Sequence, residues 1–213
     1  MTAEKPLIII PAAGFGTRVG SPNSKELLPH PVTGKPLIEA SLNLANERQW
    51  PVLVITREEK TELIAYLKNF EFVQIMTIKP SKEWPDSLLA SQPKWHLKNI
   101  LLLPDTEWEK TKVLDLIDDE LTYHQVALGV FTTDDYTPWG VVNTQSDFYH
   151  FCEKPQDAHQ FAHLKAWGLI GFQKNIGEKL FEKLLTSTLN HQWQQLELKP
   201  SFIELDYFKD LTR

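Results

Sequence analysis

The sequence predicts an α/β protein built on a mostly parallel sheet, and three features carry that prediction. Apolar, β-favouring runs of four to seven residues recur at 7–10, 52–56, 72–78, 100–103 and 126–131. Segments with apolar residues at helical spacing lie between these runs. The runs at 7–10, 52–56 and 100–103 are too uniformly apolar to have a solvated face, which is the mark of strands covered on both sides. Strand and helix alternating in this way demand helices on both faces of the sheet, and right-handed crossovers set its hand. The expected architecture is a Rossmann-like three-layer α/β/α sandwich with a mostly parallel mixed sheet and a small β-hairpin lobe.

Each element follows from local chemistry. Pro6 and Pro11 bracket the first strand, Leu7 to Ile10. Pro36 suits the first turn of a helix whose stripe is Ile38, Leu42 and Ala45, ending near Trp50-Pro51. After the strand at 52–56 comes a helix with Leu63, Ile64, Leu67 and Phe70 on one face, then the strand at 72–78. A helix from about Asp86 to Trp95 precedes the strand at 100–103. A helix carrying Val113, Leu114, Ile117 and Leu121 leads to the strand at 126–131. Beyond it WGVVNT and FYHFC, separated by Gln145-Ser146-Asp147, read as a hairpin. A last helix turns Ile176, Leu180, Phe181, Leu184 and Leu185 inward before the terminal segment FIELDYFKDLTR.

The turn after the first strand is the most informative stretch. Ala12, Ala13, Gly14 and Gly16 carry little or no side chain, so their amides can approach a ligand closely. Consecutive exposed amides form a donor array for phosphate, to which Arg18 adds a planar fork and Lys25 a point charge. The dinucleotide fingerprint does not fit, because position 19 is Val and no helix can open where Pro22, Pro29 and Pro31 keep residues 21 to 35 extended or turned. Without Gly-Lys-Ser/Thr the phosphate loop of the P-loop enzymes is excluded as well.

In open parallel sheets ligands gather at the carboxyl ends of the strands. The glycine turn, Lys79-Pro80-Ser81 and Pro104-Asp105-Thr106 each follow such an end and would face one crevice. Asp105 is a hard oxygen ligand of the kind magnesium prefers; the plainer reading makes it a helix N-cap or turn residue.

Composition bounds the rest. A chain of 213 residues, 42% hydrophobic, can build one sizeable core, so a single domain is expected, with residues 1–131 forming one part and 132–213 the other. The formal charge of -6 argues against nucleic acid as a partner, since phosphate-backbone binding draws on clustered cations. One cysteine, Cys152, and no apolar stretch of membrane-spanning length lead to the expectation of a cytoplasmic protein with no membrane partner.

PAAGFGTR, followed by SKELLP and GKPLIEASL, resembles the signature of the sugar-phosphate nucleotidylyltransferases. The resemblance implies that Ala12, Ala13, Gly14, Gly16 and Thr17 hold a nucleoside triphosphate, with Arg18 and Lys25 as the catalytic cations on its phosphates. It further implies Mg2+ as cofactor, residues 1–131 as the nucleotide-binding part and 132–213 as the sugar-phosphate-binding part. LLLPDT resembles the strand that ends in a metal-binding aspartate, Asp105. EKP resembles the motif that meets the sugar phosphate, giving Glu153 and Lys154, with Gly140 in the Trp-Gly pair before it. The second metal aspartate is Asp210 in FKDLT, with Phe where the family has Trp, and Asp206 as its rival. The base-reading segment departs from the pattern: Lys79 stands in place of a glutamine, and Trp84-Pro85 in place of a glycine and a small or apolar residue.

These residues imply transfer of a nucleoside monophosphate from the triphosphate to a sugar 1-phosphate. Self-association into a homo-oligomer is compatible with the sequence. The short interval from Arg18 to Lys25 is similar to that of the cytidylyltransferases acting on non-sugar alcohol phosphates, which keeps that activity open. The substitutions at 79, 84 and 85 keep open a non-catalytic nucleotide-sensing protein, and a nicotinamide-dependent oxidoreductase is disfavoured by the glycine spacing.

Overall fold

The computed structural model describes residues 4–14, 24–79, 81, 83–108, 112–156, 158 and 162–212. Strands β1 (Leu7–Pro11), β2 (Val52–Thr56), β3 (Val73–Thr77) and β4 (Lys98–Leu101) are parallel, in the order β4-β1-β2-β3. β1 is bonded along both edges, and Leu7, Ile8, Ile9 and Ile10 are all buried, as expected of a central strand in a covered sheet.

Alternation along β1 divides the core. Ile8 and Ile10 pack with Ile38 and Leu42 of α1 (Leu37–Glu47), Leu63 and Leu67 of α2 (Thr61–Leu67), and Leu114 and Ile117 of α4 (Val113–Glu120). Leu7 and Ile9 pack instead with Leu88 of α3 (Trp84–Ala90) and Leu180 and Phe181 of α5 (Lys174–Asn190). Three layers result, and among the described residues no helix is long and apolar enough to cross a membrane.

The remaining strands are strand β5 (Thr106–Trp108), β6 (Val126–Phe131), β7 (Gly140–Asn143), β8 (Tyr149–Glu153), β9 (Leu164–Gln173), β10 (Gln194–Leu196), β11 (Phe202–Glu204) and β12 (Phe208–Asp210). β9 joins the halves: one edge pairs antiparallel with β4 and then β7, the other with β6. The β7–β8 hairpin is therefore continuous with the main sheet, because β9 is long enough to serve two partners on one edge. β11 adds in parallel to β6 and β10 antiparallel to β8, while β5 and β12 form a separate two-stranded ribbon.

Helix α3 departs from the expected span of 86–95. It starts at Trp84, where a capping box of Glu83 and Asp86 closes the first turn and Pro85 needs no amide partner. It stops at Ala90, since Pro93 cannot donate the next helical bond, and residues 92–94 form a separate 3-10 turn.

The ribbon is anchored by Phe208, which stacks on Phe131 at 4.8 Å and meets Trp139 edge-on at 5.8 Å. Gly168 makes room for that ring: a Cβ there would lie 2.2 Å from Phe208. Gly168→Ala must displace Phe208 and the ribbon with it, so a loss of about 1–3 kcal/mol is expected from overpacking. Urea denaturation would show a lower midpoint with unchanged slope.

Candidate active site

The carboxyl end of β1 passes into Ala12 and Ala13, both buried, and the exposed Gly14. The Ala12 amide donates to the Ile55 carbonyl at 2.7 Å, continuing the ladder to β2, so amides that could face a ligand begin no earlier than Ala13. Gly16, Thr17 and Arg18 lie outside the described residues. The chain returns in a 3-10 turn, Lys25–Leu27, and Lys25 Nζ reaches Asp105 Oδ2 at 2.5 Å.

What fixes that turn is the next residue. Glu26 is fully buried, and both its carboxylate oxygens accept from Lys60 Nζ at 2.9 Å. Burial draws the Lys60 ammonium below its ordinary pKa, and the Glu26 carboxylate opposes that shift. Breaking such a buried pair by removing one partner costs about 3–5 kcal/mol. Lys25 is thus carried on a segment pinned from the opposite side.

Asp105 follows the end of β4 and is 6% exposed. Pairing of β12 with β5 sets Asp210 opposite Thr106, beside it. The Leu211 amide donates to the Asp105 carbonyl at 2.9 Å. The Thr212 amide donates to Asp210 Oδ1 at 2.9 Å, and its hydroxyl lies 2.7 Å from the same oxygen and 3.3 Å from Asp105 Oδ2. Lys25, Asp105, Asp210 and Thr212 form one group, whereas Asp206 is exposed and precedes β12.

The donor set fits a magnesium ion: two carboxylates are the number such an ion takes from protein while keeping its other positions for water and phosphate oxygens. Among the described residues no cluster of three or more His, Cys, Asp or Glu offers a closed site.

A second group lies beyond the same end of the sheet. β9 is antiparallel to β4 with Ile170 opposite Leu101, so Trp167 projects past the carboxyl end of β4. Val141 pairs with Ala166, and Gly140 pairs with Glu153, which brings both to that level. Lys154 follows with left-handed backbone, φ 50°, its amide donating to the Trp139 carbonyl at 2.9 Å. Lys79 is exposed just past β3.

Glu153 has unusual surroundings. Burial pushes its pKa up to about 7, against the lowering effect of Lys154. Its Oε1 lacks a well-formed hydrogen bond. A Cβ on Gly140 would lie 2.4 Å from that oxygen and 2.3 Å from Trp167, so no larger residue fits there.

Two contributors were not read from the sequence: the Glu26–Lys60 pair and the Thr212 hydroxyl between the two aspartates. Only Thr212 left a local sign, standing two residues after Asp210.

A raised carboxyl pKa means that the folded protein holds its proton where the unfolded chain has lost it, so stability falls as pH rises from about 4.5 through 7. The full loss is on the order of 3 kcal/mol. Glu153→Gln removes this component; its urea midpoint relative to wild type should rise between pH 5 and 8, and parallel pH profiles would contradict the assignment.

No protein-family model matches the sequence, and no curated protein matches it. Solved structures do. A Bacillus anthracis protein described as a glucose-1-phosphate thymidylyltransferase, in complex with sucrose, aligns with a TM-score of 0.75 at 15% identity, covering 97% of this chain and 90% of that one. A UDP-glucose pyrophosphorylase complexed with UDP-glucose aligns with a TM-score of 0.71 at 15% identity, over 98% and 94% of the two chains. A UDP-glucose pyrophosphorylase from Acinetobacter baumanii gives 0.67 at 17%, over 98% and 89%. The α/β architecture, over almost its whole length, is the fold of these solved nucleotide-sugar enzymes.

Proposed function

We propose that the chain is a magnesium-dependent nucleotidylyltransferase that transfers a nucleoside monophosphate from a nucleoside triphosphate to a sugar 1-phosphate. The observation that carries this reading is the convergence of Lys25, Asp105, Asp210 and Thr212 at the carboxyl ends of β1 and β4, beside the small-residue turn at Ala13 and Gly14. The structures that share the fold support it through the nucleotide-sugar chemistry that their names state.

In the reaction an oxygen of the acceptor phosphate attacks the α-phosphorus. The bond from that phosphorus to the bridging oxygen breaks, and pyrophosphate leaves with the electron pair. Such chemistry asks for positioning and neutralised charge, with no protein nucleophile. Asp105 and Asp210 would hold the magnesium ion, which when bound supplies Lewis-acid neutralisation of the phosphate oxygens. Lys25 already sits at this carboxylate pair and offers its remaining donors to the departing pyrophosphate, a role that Arg18 would share. Lys154 would face the acceptor phosphate; its backbone is fixed by the bond to Trp139 and by the ring of Pro155. A cytoplasmic setting agrees with this chemistry, in which both substrates are metabolites.

A second reading replaces the sugar with a smaller alcohol phosphate. The short interval from Arg18 to Lys25 favours it.

Pyrophosphate release measured over a matrix of triphosphates and phosphorylated sugars or alcohols, with magnesium, tests the proposal. Release with a sugar 1-phosphate is expected; nucleotide binding without release from any pair would instead point to a sensor. Lys25→Ala and Asp105→Asn should each lower turnover by about 10²-fold or more. Both variants should still unfold cooperatively, and near-normal turnover in either would overturn the assignment.

A further inference from the structure

Lys154 holds a backbone that its own sequence resists. Its φ of 50° is left-handed, which a side chain disfavours, and it precedes Pro155, which favours extended backbone at the position before it. Such a conformation persists only where the surroundings impose it. Here the peptide between Glu153 and Lys154 is gripped at both ends. Its amide donates to the Trp139 carbonyl at 2.9 Å, on the side of β7. Its carbonyl oxygen lies 3.3 Å from His191 Nδ1, and since a carbonyl only accepts, that nitrogen carries the proton of the bond. The Cys152 thiol, 3.8 Å from the same oxygen, is a weak donor beside it.

The second grip comes from outside the sheet. β10 begins opposite Phe151, so the strand pairing stops short of Glu153. Beyond that point the end of α5 stands in for the missing strand. The Glu153 amide donates to Ser187 Oγ at 2.8 Å, and the Ser187 hydroxyl donates onward to the Gln192 carbonyl at 2.8 Å. Ser187 is fully buried, whereas His191 is exposed and reaches back from the helix end. His191 is itself left-handed, φ 52°, at the position where a helix terminus ordinarily places glycine. Glycine there would close the helix with less strain, but it would leave the Glu153 carbonyl without this donor.

We propose that His191 is a positioning residue for the acceptor phosphate, acting through Lys154: its imidazole holds the Glu153 carbonyl and so sets the direction in which the Lys154 side chain leaves the backbone. This rests on the reading of Lys154 as the cation that faces that phosphate. Ser187 fixes the peptide before, so the end of α5 controls two successive units of the strand and the lysine that follows them. Loss of the ring lets Lys154 relax toward extended backbone, and the ammonium then points away from the acceptor in most molecules.

A helix cap and a positioning residue respond differently to glycine. His191→Gly relieves the left-handed strain and removes the ring. His191→Asn tolerates the same backbone and sets its amide nitrogen as many bonds from Cα as the histidine Nδ1. Equilibrium binding of glucose 1-phosphate to the full chain is measured by calorimetry for wild type and both variants, together with their urea midpoints. His191→Gly should bind about tenfold more weakly at an unchanged or higher midpoint, and His191→Asn should restore most of the affinity. The proposal is overturned by equal affinity of His191→Gly and wild type, by His191→Asn binding no better than His191→Gly, or by no binding to wild type. A midpoint that falls together with the affinity assigns His191 to the fold and overturns it too. Pyrophosphate release is scored separately, with KM for the triphosphate expected to stay unchanged while kcat/KM for the acceptor falls about tenfold in His191→Gly. A wild-type protein that turns over while the variants keep its acceptor constants sinks this inference alone. Absence of release from every substrate pair sinks the enzymatic reading and leaves the binding comparison to judge His191.

Discussion

The ammonium of Lys25 on the carboxylate of Asp105 is the contact through which two sides of the crevice are held in one geometry. The two residues are 80 positions apart and come from chain segments that follow adjacent parallel strands, β1 and β4. Parallel pairing brings the ends of those strands level, and the first residues beyond them have nowhere to go but across the same end of the sheet. A buried aspartate there requires a cation, and the turn after the glycine segment delivers it. The contact is short and charge-assisted, yet its value lies in position: phosphate chemistry depends on where charges stand before substrate arrives.

That position depends in turn on the Glu26–Lys60 pair. A 3-10 turn of three residues has little intrinsic stability, and this one has no side-chain cap. Glu26 gives it an anchor, because a fully buried carboxylate whose two oxygens share one ammonium cannot rotate without stranding both charges. Adjacent residues then serve opposite ends. Glu26 is fixed toward α2 and Lys25 toward Asp105, so the apolar packing of α2 against β1 and β2 is transmitted to a polar contact at the mouth.

The core strands were legible because a strand covered on both faces leaves a continuous apolar run, which needs no partner to be recognised. Asp105 was legible for a related reason: the rule that places ligands at carboxyl ends requires only the strand that precedes it. The choice between Asp210 and Asp206 was different in kind. Asp210 is brought beside Asp105 by the pairing of β12 with β5, a contact between segments about a hundred residues apart whose apolar content is too small to advertise a strand. How the hairpin attaches was hidden for the same reason, since the attachment lies in β9, which follows it. Helix α3 was misjudged at both ends by prolines whose effects oppose each other: Pro85 is welcome in a first turn and Pro93 ends the helix. Glu26 and Lys60 gave no sign because charged residues in a loop and at a helix start are ordinarily solvated.

The distribution of discomfort in the molecule is itself informative. Thr56 Oγ1 and Glu153 Oε1, buried without well-formed hydrogen bonds, both lie at the carboxyl-end level of the sheet. An unmet buried acceptor costs about 1–3 kcal/mol, which an apolar residue in its place would not. At Glu153 the surroundings are tryptophan rings and a glycine, a setting in which leucine or methionine would pack without penalty. Both breaches fall at one end of the sheet. A carboxyl that the fold does not need, in a place where the fold resists it, is the arrangement expected of a group whose proper partner is not part of the chain.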